Sequence, residues 1–167
     1  ESLGEKESKR CNEIMAYTTS LEYIGDIISD EMINSLLRKK IVSHSKMSLK
    51  DREDINELYQ PVLRSFNLSM SVFSSGDIAM ARQLLANKYK FIKLEKQGVV
   101  SHLNHLREDI TYDPNLSALQ LDVIRDLKRI NWNLSALAYP ILEEAGQLRS
   151  RLRSTGTEKG RTEAKAG

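Results

Sequence analysis

The chain has 167 residues, of which 40% are apolar and 29% charged, a length and composition that suit one soluble globular domain. Its formal net charge of +2 arises at the C-terminal end, where residues 146–167 hold six Lys or Arg and only two Asp or Glu. The preceding residues carry 19 basic and 21 acidic side chains, so they offer no clustered basic surface of the kind that nucleic-acid binding needs.

The cysteine count, the hydropathy and the absence of catalytic motifs further limit the class of protein. Cys11 is the one cysteine, which excludes an internal disulfide and fits a reducing compartment. No run of about 18 apolar residues occurs, so this piece is not expected to span a membrane. No nucleophile is matched with a base and no glycine-rich phosphate loop is present, which predicts a non-enzyme. Because the chain begins with Glu1 rather than Met, we expect it to be part of a longer protein.

Two long helices are predicted in the N-terminal half. The first runs from Leu3 to Lys40 and the second from Leu49 to Ser74, where Ser48 and Asp51 form a capping box. Pro61 predicts a kink or a break in the second helix. Apolar residues recur in both at helical spacing and predict the buried faces: Ile14, Tyr17, Leu21, Ile24, Ile28, Met32 and Leu36, then Ile55, Leu58, Val62, Phe66, Met70 and Phe73.

Two further helices are predicted in the C-terminal half. The third runs from Ile78 to Ile110, and the fourth follows a turn at residues 112–115 with Ser117 as its cap. Pro140 predicts a kink near the end of the fourth helix. The apolar residues of this helix are spaced by alternating steps of four and three: Val123, Leu127, Ile130, Leu134, Leu137, Ile141, Ala145 and Leu148. The expected fold is all-α, an up-down-up-down bundle of four long helices over residues 1–148, followed by a disordered basic tail over 149–167.

Two segments of these helices carry a family resemblance. Residues 21–26 read Leu-Glu-Tyr-Ile-Gly-Asp and match five of six positions of the PhoU signature Leu-Glu-Arg-Ile-Gly-Asp; residues 126–131 align with the same element. Residues 121–131, together with 138–142, resemble more closely the cytoplasmic PhoU-like domain of bacterial sodium-dependent phosphate cotransporters. The resemblance covers roughly residues 10–145 and implies a PhoU-like helical bundle.

The resemblance also implies a role. It implies a regulatory or interaction domain at the cytoplasmic face of the inner membrane, which influences phosphate uptake or efflux. Its partners would be the membrane domain of the same chain and a second copy in a homodimer. The alternative is a free-standing, metal-binding PhoU-type regulator of phosphate signalling, and a third is a purely structural oligomerisation bundle. Hydrophobic spans immediately before Glu1 would favour the first interpretation.

The acidic pair Glu22 and Asp26 is a candidate site for a divalent metal. The two carboxylates stand four residues apart, on one side of a helix and away from its apolar stripe. In PhoU proteins such a pair helps to hold iron or zinc. The matching positions of the fourth helix are Lys128 and Trp132, neither of which supplies a carboxylate. We therefore expect weak or incomplete metal binding, or a solvated acidic face.

Two further groups of residues are candidate functional sites. Lys88, Glu95 and His102 fall at intervals of seven within the apolar face of the third helix. They predict either a polar seam, with His102 as a proton-sensitive group, or side chains at the edge of the face with their charged ends in water. The second group, on the outer side of the fourth helix, has the composition of a partner contact: Leu121, Arg125, Trp132 and Tyr139.

Overall fold

The computed structural model describes residues 3–42, 48–108 and 113–147, and these form an all-α bundle. Four rods run through it, two of them interrupted. The first rod comprises α1, a π-helical segment and α2; the second is α3; the third is α4; the fourth comprises α5 and α6. Their bounds are Leu3–Asp26 for α1, Ile27–Met32 for the π-helical segment, Ile33–Val42 for α2, Leu49–Ser75 for α3, Ile78–Glu108 for α4, Pro114–Ala136 for α5 and Ala138–Glu144 for α6.

The first rod was predicted as one regular helix, and the π-helical segment is the departure from that prediction. At the end of this segment the backbone N–H of Ile33 donates to the carbonyl of Ile28, five residues back instead of four. The wider turn accommodates an extra residue without ending the helix. At the start of the segment Ile27 is fully buried, whereas Ile28, which was predicted on the buried face, is 43% exposed.

The ends of α3 follow the predicted local chemistry. The Ser48 hydroxyl accepts from the N–H of Asp51, and the Asp51 carboxylate accepts from the N–H of Ser48, which confirms the capping box. The helix continues through Pro61, so the predicted break is absent from α3. It ends at Gly76, whose φ of 64° lies in the left-handed region that favours glycine.

The fourth rod begins earlier than predicted and is interrupted near its end. Asp113, not Ser117, caps α5: its carboxylate accepts from the N–H of Asn115, with Pro114 in the first turn. The interruption falls at Leu137, between α5 and α6. Pro140 accounts for it, because its ring nitrogen cannot donate to the carbonyl four residues back.

Contacts between the rods give their directions. Tyr17 of α1 contacts Ser69 of α3, whereas the earlier residue Arg10 contacts the later residue Phe73, so these helices are antiparallel. The same reasoning makes α4 antiparallel to α3 and to α5, and α1 antiparallel to α5. The arrangement is therefore the predicted up-down-up-down bundle.

The core has two parts, and α5 lies at the centre of the larger one. The larger cluster contains Ile24, Ile27, Leu58, Val62, Phe91, Leu116, Leu119, Val123, Ile124, Leu127, Ile130 and Leu134. The smaller one contains Val72, Ala81, Leu84, Leu85, Ala138 and Leu142. Beyond the interruption at Leu137 the buried positions are Ala138 and Leu142, and the predicted seam residues Leu137 and Ile141 are only partly buried.

Two predictions concern membrane spanning and the C-terminal boundary of the bundle. No helix in the described parts of the chain is long and apolar enough to cross a lipid bilayer. The predicted basic tail over 149–167, and Leu148 before it, lie outside the described residues. The boundary between bundle and tail therefore stays a prediction.

Candidate functional site

The three polar residues of α4 lie along its contact with the fourth rod, and each pairs with a side chain there. The Lys88 ammonium donates to the Tyr139 hydroxyl at 3.0 Å. The Glu95 carboxylate accepts from Lys128 at 2.8 Å. His102 Nε2 lies 2.9 Å from the Ser117 hydroxyl.

Burial decides between the two interpretations of these residues. Lys88 is 6% exposed and His102 is 1% exposed, so the interpretation that places their polar ends in water is wrong for both. Glu95 keeps 16% of its side chain exposed and its partner Lys128 keeps 43%. The seam is thus closed at Lys88 and His102 and partly open between them.

Lys88 is a buried cation held by aromatic rings. Its ammonium lies 4.1 Å from the centre of the Trp132 ring and 5.1 Å from that of Tyr139. Among the described residues no carboxylate pairs with it, so the two rings and one hydroxyl offset the cost of removing the charge from water. The Lys128 ammonium lies 5.8 Å from the same Trp132 ring. The indole therefore lies close to two cations of the α4–α5 contact.

A second charged cluster joins the first rod to α5. Arg129 pairs with Glu31 of the π-helical segment and donates to the Tyr23 hydroxyl at 2.6 Å. That hydrogen bond to Glu31 is the chief reason why the pKa of Arg129 is raised, and it holds the pKa of Glu31 below its usual value. On the same side of α5, Arg125 donates to Asp126 at 3.0 Å, which raises the pKa of Arg125.

The cluster extends to α2 through Asp122. Its carboxylate accepts from Arg125 at 2.9 Å and from the Ser35 hydroxyl at 3.0 Å. Asp122 therefore links α5 to the helix that follows the π-helical segment. Together, Glu31 and Ser35 hold both parts of that rod against α5.

The acidic pair lies where it was predicted, on the exposed surface. Glu22 and Asp26 are both exposed residues of α1, and Asp26 is the last residue before the π-helical segment. Within the described ranges, no three His, Cys, Asp or Glu side chains come close enough together to hold a metal ion. Lys128 supplies no ligand, because its ammonium is a cation without a free lone pair, and it pairs with Glu95 instead. The described side chains therefore do not fit the iron or zinc site that the resemblance implies.

The four predicted partner-contact residues differ in their exposure to solvent. Leu121 is 41% exposed and Trp132 37% exposed, and Arg125 keeps 54% of its side chain exposed although it binds two aspartates. Tyr139 is only partly buried and packs against the smaller core cluster, with its hydroxyl bound to Lys88. The exposed part of this surface is therefore Leu121, Arg125 and the outer face of Trp132.

A buried polar chain at the centre of the bundle was missed by the sequence analysis. The Ser65 hydroxyl donates to the side-chain carbonyl of Asn131 at 2.6 Å and accepts from Asn87 at 2.7 Å. Asn87 also donates to the carbonyl of Pro61 at 2.6 Å. The signal was present, because Asn131 stands in the apolar stripe of α5 beside Ile130.

Comparison with known proteins shows sequence similarity to proteins that share one name. No protein-family model matches the chain, and no solved structure matches it. A protein named "Putative inorganic phosphate export protein YjbB" in Escherichia coli K12 is 31% identical over 144 residues, which is 86% of this chain and 26% of that protein. The protein of the same name from Salmonella typhimurium is 31% identical over 147 residues, which is 88% of this chain and 27% of that one. This chain is therefore similar, over most of its length, to about a quarter of proteins that are named for phosphate export.

Proposed function

We propose that this chain is a cytoplasmic regulatory and interaction domain of a sodium-dependent phosphate transporter. It would influence phosphate uptake or efflux through contact with the membrane domain of the same protein, with no chemistry of its own. The observation that carries the proposal is the similarity, over 86% of the chain, to a segment of proteins named for phosphate export. The resemblance of residues 21–26 and 121–131 to PhoU-like domains supports the finer assignment.

The exposed edge of α5 is the surface on which such a contact would act. Leu121 and Trp132 offer apolar area, and Arg125 offers a charge between them, a composition typical of interaction anchors. The edge is connected to both neighbouring rods. Trp132 covers Lys88 of α4, and Asp122 next to Leu121 is bound to Ser35 of α2. A partner bound to this edge of α5 would therefore contact residues that are linked to three of the four rods.

The test is phosphate flux through the full-length protein that contains this chain. Wild type and Trp132→Ala are expressed at equal membrane abundance, and uptake and efflux of radioactive phosphate are measured. We expect Trp132→Ala to change the flux, because truncation of an anchor typically weakens a contact by about 2 kcal/mol or more. The matched control is Tyr89→Ala on α4, an aromatic residue that is 61% exposed and lies outside this edge.

Two outcomes would contradict the proposal. Removal of the whole bundle with unchanged flux in both directions would show that it does not regulate transport. A large fall in the melting temperature of Trp132→Ala with unchanged flux would make Trp132 a core residue and remove the contact surface. The metal-binding alternative predicts stoichiometric iron or zinc in the purified chain, lost in Glu22→Ala, and elemental analysis measures it.

A further inference from the structure

The Trp132 end of the exposed α5 edge is poor in carboxylates. Residues 128–142 of the fourth rod include two cations but no Asp or Glu. Residues 14–21 of α1 flank this part of the rod, since Ser20 lines a cleft together with Ala136, and they carry no charge at all. A carboxylate near this end must therefore come from α4 or from farther along the first rod.

Two cations beside Trp132 meet one carboxylate. Lys128 pairs with Glu95 of α4 at 2.8 Å, whereas Lys88 contacts two aromatic rings and, in the described parts of the chain, pairs with no carboxylate. The neighbouring cluster around Arg125 and Arg129 does not supply the missing charge, because each of its carboxylates is paired with an arginine. The charge of Lys88 is therefore left without a counter-charge beside it.

The ion pairs of this edge turn their cations outward. Lys128 keeps 43% of its side chain exposed and Glu95 only 16%. Arg125 keeps 54% exposed, whereas its partner Asp126 is fully buried. The ammonium of Lys128 has three N–H groups and uses one of them on Glu95. A molecule that approaches the edge therefore meets positive charge and hydrogen-bond donors before it meets the carboxylates.

Trp132 brings these two cations to the same place. Its ring centre lies 4.1 Å from the Lys88 ammonium and 5.8 Å from that of Lys128, and 37% of the residue is exposed. A negative group beside the exposed part of the ring would lie close to both ammonium groups. Lys88 is only 6% exposed, so it would attract such a group without touching it.

We propose that the segment of the full-length protein that binds the α5 edge carries an Asp or Glu side chain, whose carboxylate binds Lys128 beside Trp132. This inference rests on the proposed function, because it names the chemistry of the partner at the same edge. The carboxylate accepts from the ammonium N–H groups that Glu95 leaves unused, and the buried charge of Lys88 adds to the attraction. Apolar atoms of the same segment pack on the indole.

Other occupants fit this end of the edge less well. A basic segment would be repelled by the outward cations. An anionic membrane surface is attracted by clusters of about four to eight Lys or Arg, whereas this edge exposes Arg125 and Lys128. Lys90 and Lys93 of α4 do not enlarge the group, because at about 100° per residue they lie about 200° and 140° around that helix from Lys88.

The test is photo-cross-linking within the full-length protein in its membrane. Benzoylphenylalanine, a photo-reactive residue, takes the place of Ala136, which is exposed about one helical turn beyond Trp132. The replacement reports what covers this end of the edge and changes no charge. Mass spectrometry identifies the linked segment, and we expect it to lie outside residues 1–167 and to contain Asp or Glu within about one helical turn of the linked position.

Two variants that break the same ion pair separate attraction from folding. Lys128→Gln removes the cation that binds the partner's carboxylate, so the cross-linking yield should fall about two- to fivefold, the range that an exposed ion pair contributes. Glu95→Gln removes the competing carboxylate and should leave the yield at least as high as in the wild type. Any effect of losing the Lys128–Glu95 pair on the fold is common to both variants. The control is Arg64→Gln, which removes an exposed cation of α3 and should leave the yield unchanged.

Several results would overturn this inference. They are the absence of a cross-link, a cross-link to lipid or to a second copy of residues 1–167, a linked segment without Asp or Glu, and equal yields in Lys128→Gln and Glu95→Gln. The regulatory role is tested separately by phosphate flux. Flux that responds to Trp132→Ala, with equal yields in the two variants, would leave the regulatory role standing and remove the carboxylate. An acidic linked segment, with flux unchanged after removal of the bundle, would do the reverse.

Discussion

Leu134→Ala tests the packing of the central helix. Leu134 is 1% exposed and belongs to the larger core cluster. The substitution removes three carbon atoms, and at about 0.8 kcal/mol for each the lost transfer free energy is about 2.4 kcal/mol. A cavity between packed helices adds to that loss, so the free energy of unfolding should fall by roughly 2 to 5 kcal/mol.

Urea unfolding followed by circular dichroism measures the change. With a slope of about 1–3 kcal/mol per molar for a small protein, a loss of this size moves the midpoint by about 0.7 M or more. The matched control is Leu121→Ala, the same substitution in the same helix at a residue that is 41% exposed; it should cost less than about 1 kcal/mol. Equal losses in the two variants, or a loss below about 1 kcal/mol for Leu134→Ala, would refute the assigned packing of α5.

Three further predictions concern polar groups. Lys88→Met removes a buried charge and should leave the free energy of unfolding unchanged within about 1 kcal/mol, or raise it. Tyr139→Phe removes the hydroxyl that binds the Lys88 ammonium and should lower the free energy of unfolding by about 1–3 kcal/mol. Urea unfolding that ranks the two variants in the opposite order would contradict this. Glu31→Gln should lower the melting temperature at pH 7. Because the folded-state pKa of Glu31 lies below its unfolded pKa of about 4.3, this difference should shrink as the pH falls below about 4.3 and vanish only below the folded-state pKa. Ser65→Ala should cost about 1–3 kcal/mol by urea unfolding and the exposed Ser71→Ala almost nothing, and equal effects would contradict the buried polar chain.

Local chemistry made the start of α3 and the interruption near the end of the fourth rod predictable. The capping box at Ser48 and Asp51 needs only residues three apart, and Pro140 disturbs its own helix by lacking an N–H. The seam of α5 from Val123 to Leu134 was also predicted and is buried, because α5 packs against the other rods on several sides and each position of the seam meets a neighbour. Periodicity suffices where the whole apolar stripe of a helix is covered.

The inner and outer sides of α1 and α3 could not be predicted in the same way. The apolar residues of α3 cover more than one side, and periodicity does not reveal which side meets a neighbour. Phe66 was expected inside and lies outside, whereas Ser65 lies inside because Asn131 and Asn87 satisfy its hydroxyl. Of the candidate sites, the spacing of Lys88 and His102 was predicted, but their burial depends on partners in the fourth rod that are distant in sequence.

The π-helical segment lets the first rod tolerate one change in length. Because its wider turn already holds one extra residue, deleting one residue between Ile27 and Met32 would allow a regular α-helix and leave the residues after it facing nearly as before. Ser35 would still face Asp122, and Tyr23 would keep its place beside Arg129. The same deletion within α1 would turn everything after it by about 100°. A single-residue deletion that spares Glu31 should therefore be tolerated better in the segment than within α1.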